Sequence, residues 1–189
     1  MGDEAADVAW RYGAFELDPA VPSGGVDAAE YLRRKYDVGT VQAIGERLRA
    51  VAAAEGLPMA DPPIGGVRPN TFAAHRLLTA ALSEVGEAVQ QTLADGLFRA
   101  CWAEARDTGD HDVLLELGVE AGMDAERVRG ILAGEAYAEV VRAEERAARD
   151  AGITAVPTFV LDGRLAVSGA QTPDVLAHAV RRAAHLGRG

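Results

Sequence analysis

Residues 152–173, GITAVPTFVLDGRLAVSGAQTP, decide the fold. Thr158, Phe159, Val160 and Leu161 make a short β-favouring run, and Asp162-Gly163 is a strong two-residue hairpin signal. Leu165, Ala166 and Val167 return as a second strand. Thr172-Pro173 then supplies a helix cap and a proline suited to the first helical position. The apolar stripe Val175, Leu176, Ala179, Val180 and Ala183 carries the helix onward. Pro157 stands at the mouth of the first strand, where it cannot donate to a ladder. A proline is tolerated at a strand's first residue, and a cis bond after Val156 suits a tight entry.

Working outward, residues 8–12 read as a strand that leads into a loop from Asp18-Pro19 to Gly25. Residues 27–36 and 40–55 read as helices, the second with Val41, Ile44, Leu48 and Val51 on one face. Residues 58–69 are too rich in proline and glycine for either regular state. Asn70 or Thr71 caps a helix running to Val85, with Phe72, Leu77, Leu78 and Leu82 available for burial. Helices over 87–105, 111–121, 124–133 and 135–150 follow, the last with an Arg/Glu-rich outer face and Glu145 spaced to pair with Arg149. The order is strand, helical block, strand, strand, helix, which is an α/β pattern. A helical bundle ending in a hairpin is the competing architecture.

The 189 residues, 49% of them hydrophobic, suffice for a sizeable core. A net charge of −10 argues against nucleic acid and anionic membrane as partners. No apolar run reaches membrane-spanning length. The start Met1-Gly2-Asp3-Glu4 is acidic with no apolar signal region, and a single cysteine fits a reducing compartment, so a cytoplasmic location is expected.

Three groups of residues carry a family resemblance. Val156-Pro157-Thr158-Phe159, Asp162-Gly163-Arg164 and Ser168-Gly169-Ala170-Gln171 resemble the C-terminal half of the thioredoxin fold in the DsbA family, in particular its FrnE-like branch. WRYGAFELDP at 10–19, RPNTFAAHRL at 68–77 and LFRACWAEARDTGD at 97–110 extend the likeness over nearly the whole chain. The resemblance implies a thioredoxin-like domain from 1–26 and 134–189, interrupted by a helical insertion domain over 27–133. It implies a thiol-disulfide oxidoreductase or isomerase acting on a thiol- or disulfide-containing protein or peptide. Family members open with a strand, a Cys-x-x-Cys motif and a helix, and this chain is expected to begin after that segment. In such a fold the absent strand runs between the strand at 8–14 and the strand at 159–161. The gap is then closed by direct pairing of the two or by a second chain, and we expect self-association.

Thiol-disulfide exchange needs an accessible, low-pKa thiolate and a resolving cysteine. The chain holds one cysteine, so no catalytic pair is assigned. Cys101 follows Leu93 and Leu97 at helical spacing, which reads as a buried structural thiol. By the resemblance, the backbone of Val156 before Pro157 pairs with an extended substrate. Asn70, Thr71 and His75 form a second candidate binding cluster, because a helix N-terminus can hold an anion such as a glutathione carboxylate. No other cofactor is implied. The related 2-hydroxychromene-2-carboxylate isomerase and kappa-class branch, glutathione-dependent and using serine in place of cysteine, is the alternative enzyme reading. A non-catalytic peptide-binding module is the alternative outside enzymes. The four histidines lack metal-site spacing, and Gly65-Gly66 lacks the lysine of a phosphate loop.

Overall fold

A computed structural model describes residues 8–61 and 66–186. The acidic start and Gly65 lie outside the described residues. In chain order the elements are β1 Val26–Asp27, α1 Ala28–Lys35, α2 Val38–Ala54, β2 Val67–Arg68, α3 Phe72–Glu84 and α4 Glu87–Phe98. Then come a π-helical turn Arg99–Ala103, α5 His111–Glu120, α6 Ala125–Ala133, α7 Ala138–Asp150, β3 Thr158–Leu161, β4 Leu165–Ser168 and α8 Pro173–Leu186. The fold is α/β and mainly helical, with the helical block between its strands.

The core sits in that block. Leu77 of α3, Leu93 of α4, Leu114 and Leu117 of α5, and Val128 and Ile131 of α6 are fully buried against one another. Each comes from an apolar stripe at helical spacing, and aspartates cap several of the helices. Asp110 accepts from Asp112 and Val113 N–H, and Asp124 accepts from Arg127 N–H, so orphan donors of α5 and α6 are satisfied locally. Arg76 of α3 is buried, and its guanidinium donates to the carbonyls of Ala136 (2.8 Å), Ile131 and Gly134. It thereby closes the C-terminal end of α6 and the turn into α7.

The hairpin forms where the sequence places it. β3 and β4 pair antiparallel, with Phe159 opposite Val167 and Leu161 opposite Leu165. Asp162 and Gly163 have φ of 51° and 66°, both in the left-handed region that the mirror-image hairpin turn requires. α8 packs on both strands through buried Ala179 and Ala183.

Three expectations need correction. Residues 8–12 form no strand, and they do not pair with β3; among the described residues the sheets are β1–β2 and β3–β4, each of two strands. The segment is extended, but helix side chains bind its backbone in place of a ladder. Gln91 donates to Trp10 O, Gln90 both accepts from Tyr12 N–H and donates to Tyr12 O, Glu144 accepts from Ala14 N–H, and Glu145 accepts from Glu16 N–H. Trp10, Tyr12, Ala14 and Glu16 are held in this way by side chains of α4 and α7. Secondly, Val67-Arg68 in the breaker-rich connection pairs with Val26-Asp27, a two-residue ladder too short to leave a pattern. Gly25 makes the approach possible: its φ is 70°, and a Cβ there would lie 2.9 Å from Arg68 O. Thirdly, Glu145 is not on an outer face. It is 1% exposed and bridges Arg142 at 2.8 Å, with Arg149 at 3.9 Å.

Candidate functional site

β3 enters through the Val156-Pro157 bond, which is cis. Gly169 N–H donates to Pro157 O at 2.8 Å, and Arg164 N–H donates to Leu161 O at 3.0 Å. With the two-residue period of a strand, Pro157, Phe159 and Leu161 therefore turn their backbone groups toward β4. Thr158 and Val160 turn theirs to the opposite edge, where no strand lies among the described residues, and Val156 precedes that edge. Val156 and Val160 are about half exposed. Trp10 stands edge-on to Phe159, ring centroids 6.1 Å apart, and walls the strand. The loop Ser168–Gln171 turns the chain: Gly169 has φ of 83°, and Gln171 donates to Ser168 O. This edge is a place for an extended chain rather than a pocket. The described clefts, about 450 Å³ beside Asp18 and Tyr31 and about 590 Å³ along His178 and Arg182, take in neither Val156 nor Pro157.

Asn70, Thr71 and His75 lie together at the start of α3. Asn70 uses both ends of its amide, donating to Val21 O at 2.7 Å and accepting from Phe72 N–H at 3.0 Å. Thr71 occupies the cap position without a side-chain cap bond, its carbonyl accepting from His75 N–H. Burial pushes the His75 imidazole below its ordinary value, against the charge of Glu145 and a hydrogen bond with the Phe15 backbone. His75 is thus a neutral group packed toward the docked residues 14–16. No hydrogen bond, ion pair or ring contact joins these three to Val156 or Pro157 among the described residues.

Cys101 lies in the π-helical turn Arg99–Ala103, past the end of α4, and is half-buried. The regular helix expected over 87–105 stops at Phe98, so the Leu93, Leu97, Cys101 spacing does not carry the sulfur into the core. Burial raises its thiol pKa, Arg68 opposes that, and Asp107 adds to it. A raised pKa leaves little thiolate at neutral pH. Alkylation of Cys101 in the native protein is expected to run several-fold slower than that of a free thiol and to speed up in denaturant. A native rate matching a free thiol would contradict this environment.

Sequence reasoning missed two features here. Glu16 and Glu145, both buried, converge on the guanidinium of Arg142, which also lies 3.8 Å from the Phe72 ring centroid. Their separation by more than a hundred residues leaves no local pattern. Arg68, in a connection dismissed as irregular, has a buried Nε with no hydrogen-bond partner.

The DSBA-like thioredoxin domain family matches residues 3–181. A solved probable DsbA oxidoreductase from Streptomyces coelicolor is 38% identical, with a TM-score of 0.78, over 90% of this chain and 73% of that one. A solved 2-hydroxychromene-2-carboxylate isomerase superposes with a TM-score of 0.68 at 18% identity, over 94% and 82% of the two chains, a likeness of fold. The uncharacterized protein YwbO of Bacillus subtilis (strain 168) is 36% identical over 85 residues, a match spanning 44% of this chain and 42% of the relative.

Proposed function

Because the chain belongs to the DSBA-like thioredoxin domain family, we propose that it serves thiol-disulfide exchange as a FrnE-like cytoplasmic protein, holding a thiol- or disulfide-bearing peptide along the free edge of β3. The observation that carries this reading is the outward backbone groups of Thr158 and Val160, beside the half-exposed side chains of Val156 and Val160. An extended peptide adds to such an edge through main-chain hydrogen bonds, with alternate side chains against the walls. With one cysteine, these 189 residues supply substrate recognition rather than a cycling cysteine pair.

Val160→Pro tests the reading, because it removes an outward N–H and leaves the β3–β4 ladder intact. Anisotropy of a fluorescent, extended cysteine-containing peptide should show about tenfold weaker binding, roughly the value of a lost hydrogen bond with its neighbours. The far-ultraviolet circular dichroism should not change. Equal binding by the variant would remove the edge from the proposal.

A further inference from the structure

The buried and half-buried arginines of this chain find oxygen. Arg76 has three carbonyls, Arg142 has two carboxylates, and Arg106 makes a two-pronged pair with Glu116. Arg68 is different. It is half-buried, its Nε is shut away from water without a partner, and its guanidinium makes neither a hydrogen bond nor an ion pair among the described residues. What it has is a ring: its Cζ lies 5.2 Å from the centroid of Tyr31. The nearby carboxylate does not close on it. Asp18 is engaged elsewhere, accepting from Tyr31 Oη at 2.9 Å and from Ala20 N–H at 3.3 Å.

The position of Arg68 is firmly set. The β1–β2 ladder fixes its backbone, Gly25 packs against its carbonyl, and Tyr31 is itself held by Asp18 and by Lys35 Nζ at 3.1 Å. A guanidinium held by its backbone and one ring, with hydrogen-bonding edges left over, matches a planar two-oxygen acceptor. An unpartnered buried donor is otherwise a cost to the fold that a mutation to an apolar residue would relieve.

We propose that Arg68 anchors a carboxylate-binding site on the wall formed by β1, β2 and the Tyr31 side of α1. A monoanionic group fits better than phosphate, because the Lys35 ammonium over the same ring is engaged with Tyr31 Oη and sits with Asp18, leaving the Arg68 guanidinium as the charge still to be met. The carboxylate comes from a free small acid or from a peptide. No hydrogen bond, ion pair or ring contact joins Arg68 or Tyr31 to β3 among the described residues, and the proposal does not depend on that edge. It also differs from the anion position expected at Asn70 and Thr71, where the Asn70 amide is already satisfied at both ends.

The full chain is titrated at constant ionic strength with succinate, with glutathione, with glutathione diethyl ester and with inorganic phosphate. Melting temperature is followed for every probe, and the alkylation rate of Cys101, which feels the charge of Arg68, for the thiol-free ones, succinate and phosphate. A carboxylate should raise the melting temperature saturably and slow alkylation, and Arg68→Gln should weaken this at least about tenfold, the loss expected of a charge-assisted pair. Succinate acting alone supports a free acid as ligand; glutathione acting while its ester fails supports a peptide carboxylate. Phosphate acting as well as the carboxylates, no response to any probe, or an undiminished response in Arg68→Gln overturns the proposal. Arg68→Met, without ligand, should melt at the same temperature or higher. A fall of several degrees would give Arg68 a structural role and overturn the proposal as well.

Discussion

Replacing Glu145 by alanine is expected to lower folding stability by about 2–3 kcal/mol, the cost of leaving a buried N–H without its acceptor together with the loss of a half-exposed ion pair. Its carboxylate accepts from Glu16 N–H at 3.0 Å, meets Arg142 at 2.8 Å and faces Arg149 at 3.9 Å. Alanine leaves that N–H without its acceptor and leaves Arg142 with Glu16 alone. Urea denaturation at neutral pH measures the loss. Glu145→Gln, which keeps an acceptor for Glu16 N–H, should fall between, while Glu126→Ala, at an exposed pair with Arg129, should change stability by less than about 0.5 kcal/mol. A loss below about 1 kcal/mol for Glu145→Ala would show that the network does not hold the segment.

The pH dependence follows from the same pair. Burial works to raise the Glu145 pKa, but the Glu16 N–H and the two arginines outweigh it and hold the group below its ordinary 4.5. A depressed carboxylate contributes stability that is present above its unfolded value and lost as pH falls through the folded one. Glu16 goes the other way, raised first by burial and then by Glu145 despite Arg142, so its contribution fades as pH climbs from the ordinary value through the raised one. Glu145→Ala should therefore flatten the acid side of the stability curve.

Arg76→Met is expected to cost about 2 kcal/mol, because the methionine fills the space but leaves the buried carbonyl of Ile131, and the more open ones of Gly134 and Ala136, without this donor. Arg76→Lys should recover little, since one ammonium cannot reproduce the fork of the guanidinium. Chemical denaturation gives the magnitude, and faster amide exchange at the C-terminal end of α6 and its turn into α7 should accompany it. A change under about 1 kcal/mol for the methionine variant would contradict the clamp.

What the sequence made legible is what depends on neighbours along the chain. The Asp162-Gly163 turn, the run at 158–161, the capped helix from Phe72 and the stripe of α8 are local patterns, and the structure has them close to where the spacing puts them. What it hid depends on distant residues. Residues 8–12 read as a strand, but an extended backbone needs only acceptors and donors; Gln90 and Gln91 provide them at Tyr12 and Trp10, and Glu144 and Glu145 do the same further along at Ala14 and Glu16. Glu145 and Arg149 have the spacing of a surface pair, and nothing near them in sequence reveals that Glu16 arrives to cover the carboxylate. Val41, Ile44, Leu48 and Val51 read as one apolar face of α2, yet Ile44, Leu48 and Val51 remain substantially exposed. Of the candidate site, the Val156-Pro157 edge was legible because proline marks it, whereas the free guanidinium of Arg68 was not.

The side-chain attachment of residues 10–16 also sets an order of assembly. Tyr12 is joined to a residue 78 positions away, and Ala14 and Glu16 to residues 130 and 129 positions away. Closing loops of that length is entropically costly until their docking surfaces exist. The contacts between α3 and α4 and between α5 and α6 join helices adjacent in the chain, so the helical block can condense by itself. Residues 10–16 therefore join the fold late, once α7 lies against α3 and presents its glutamates.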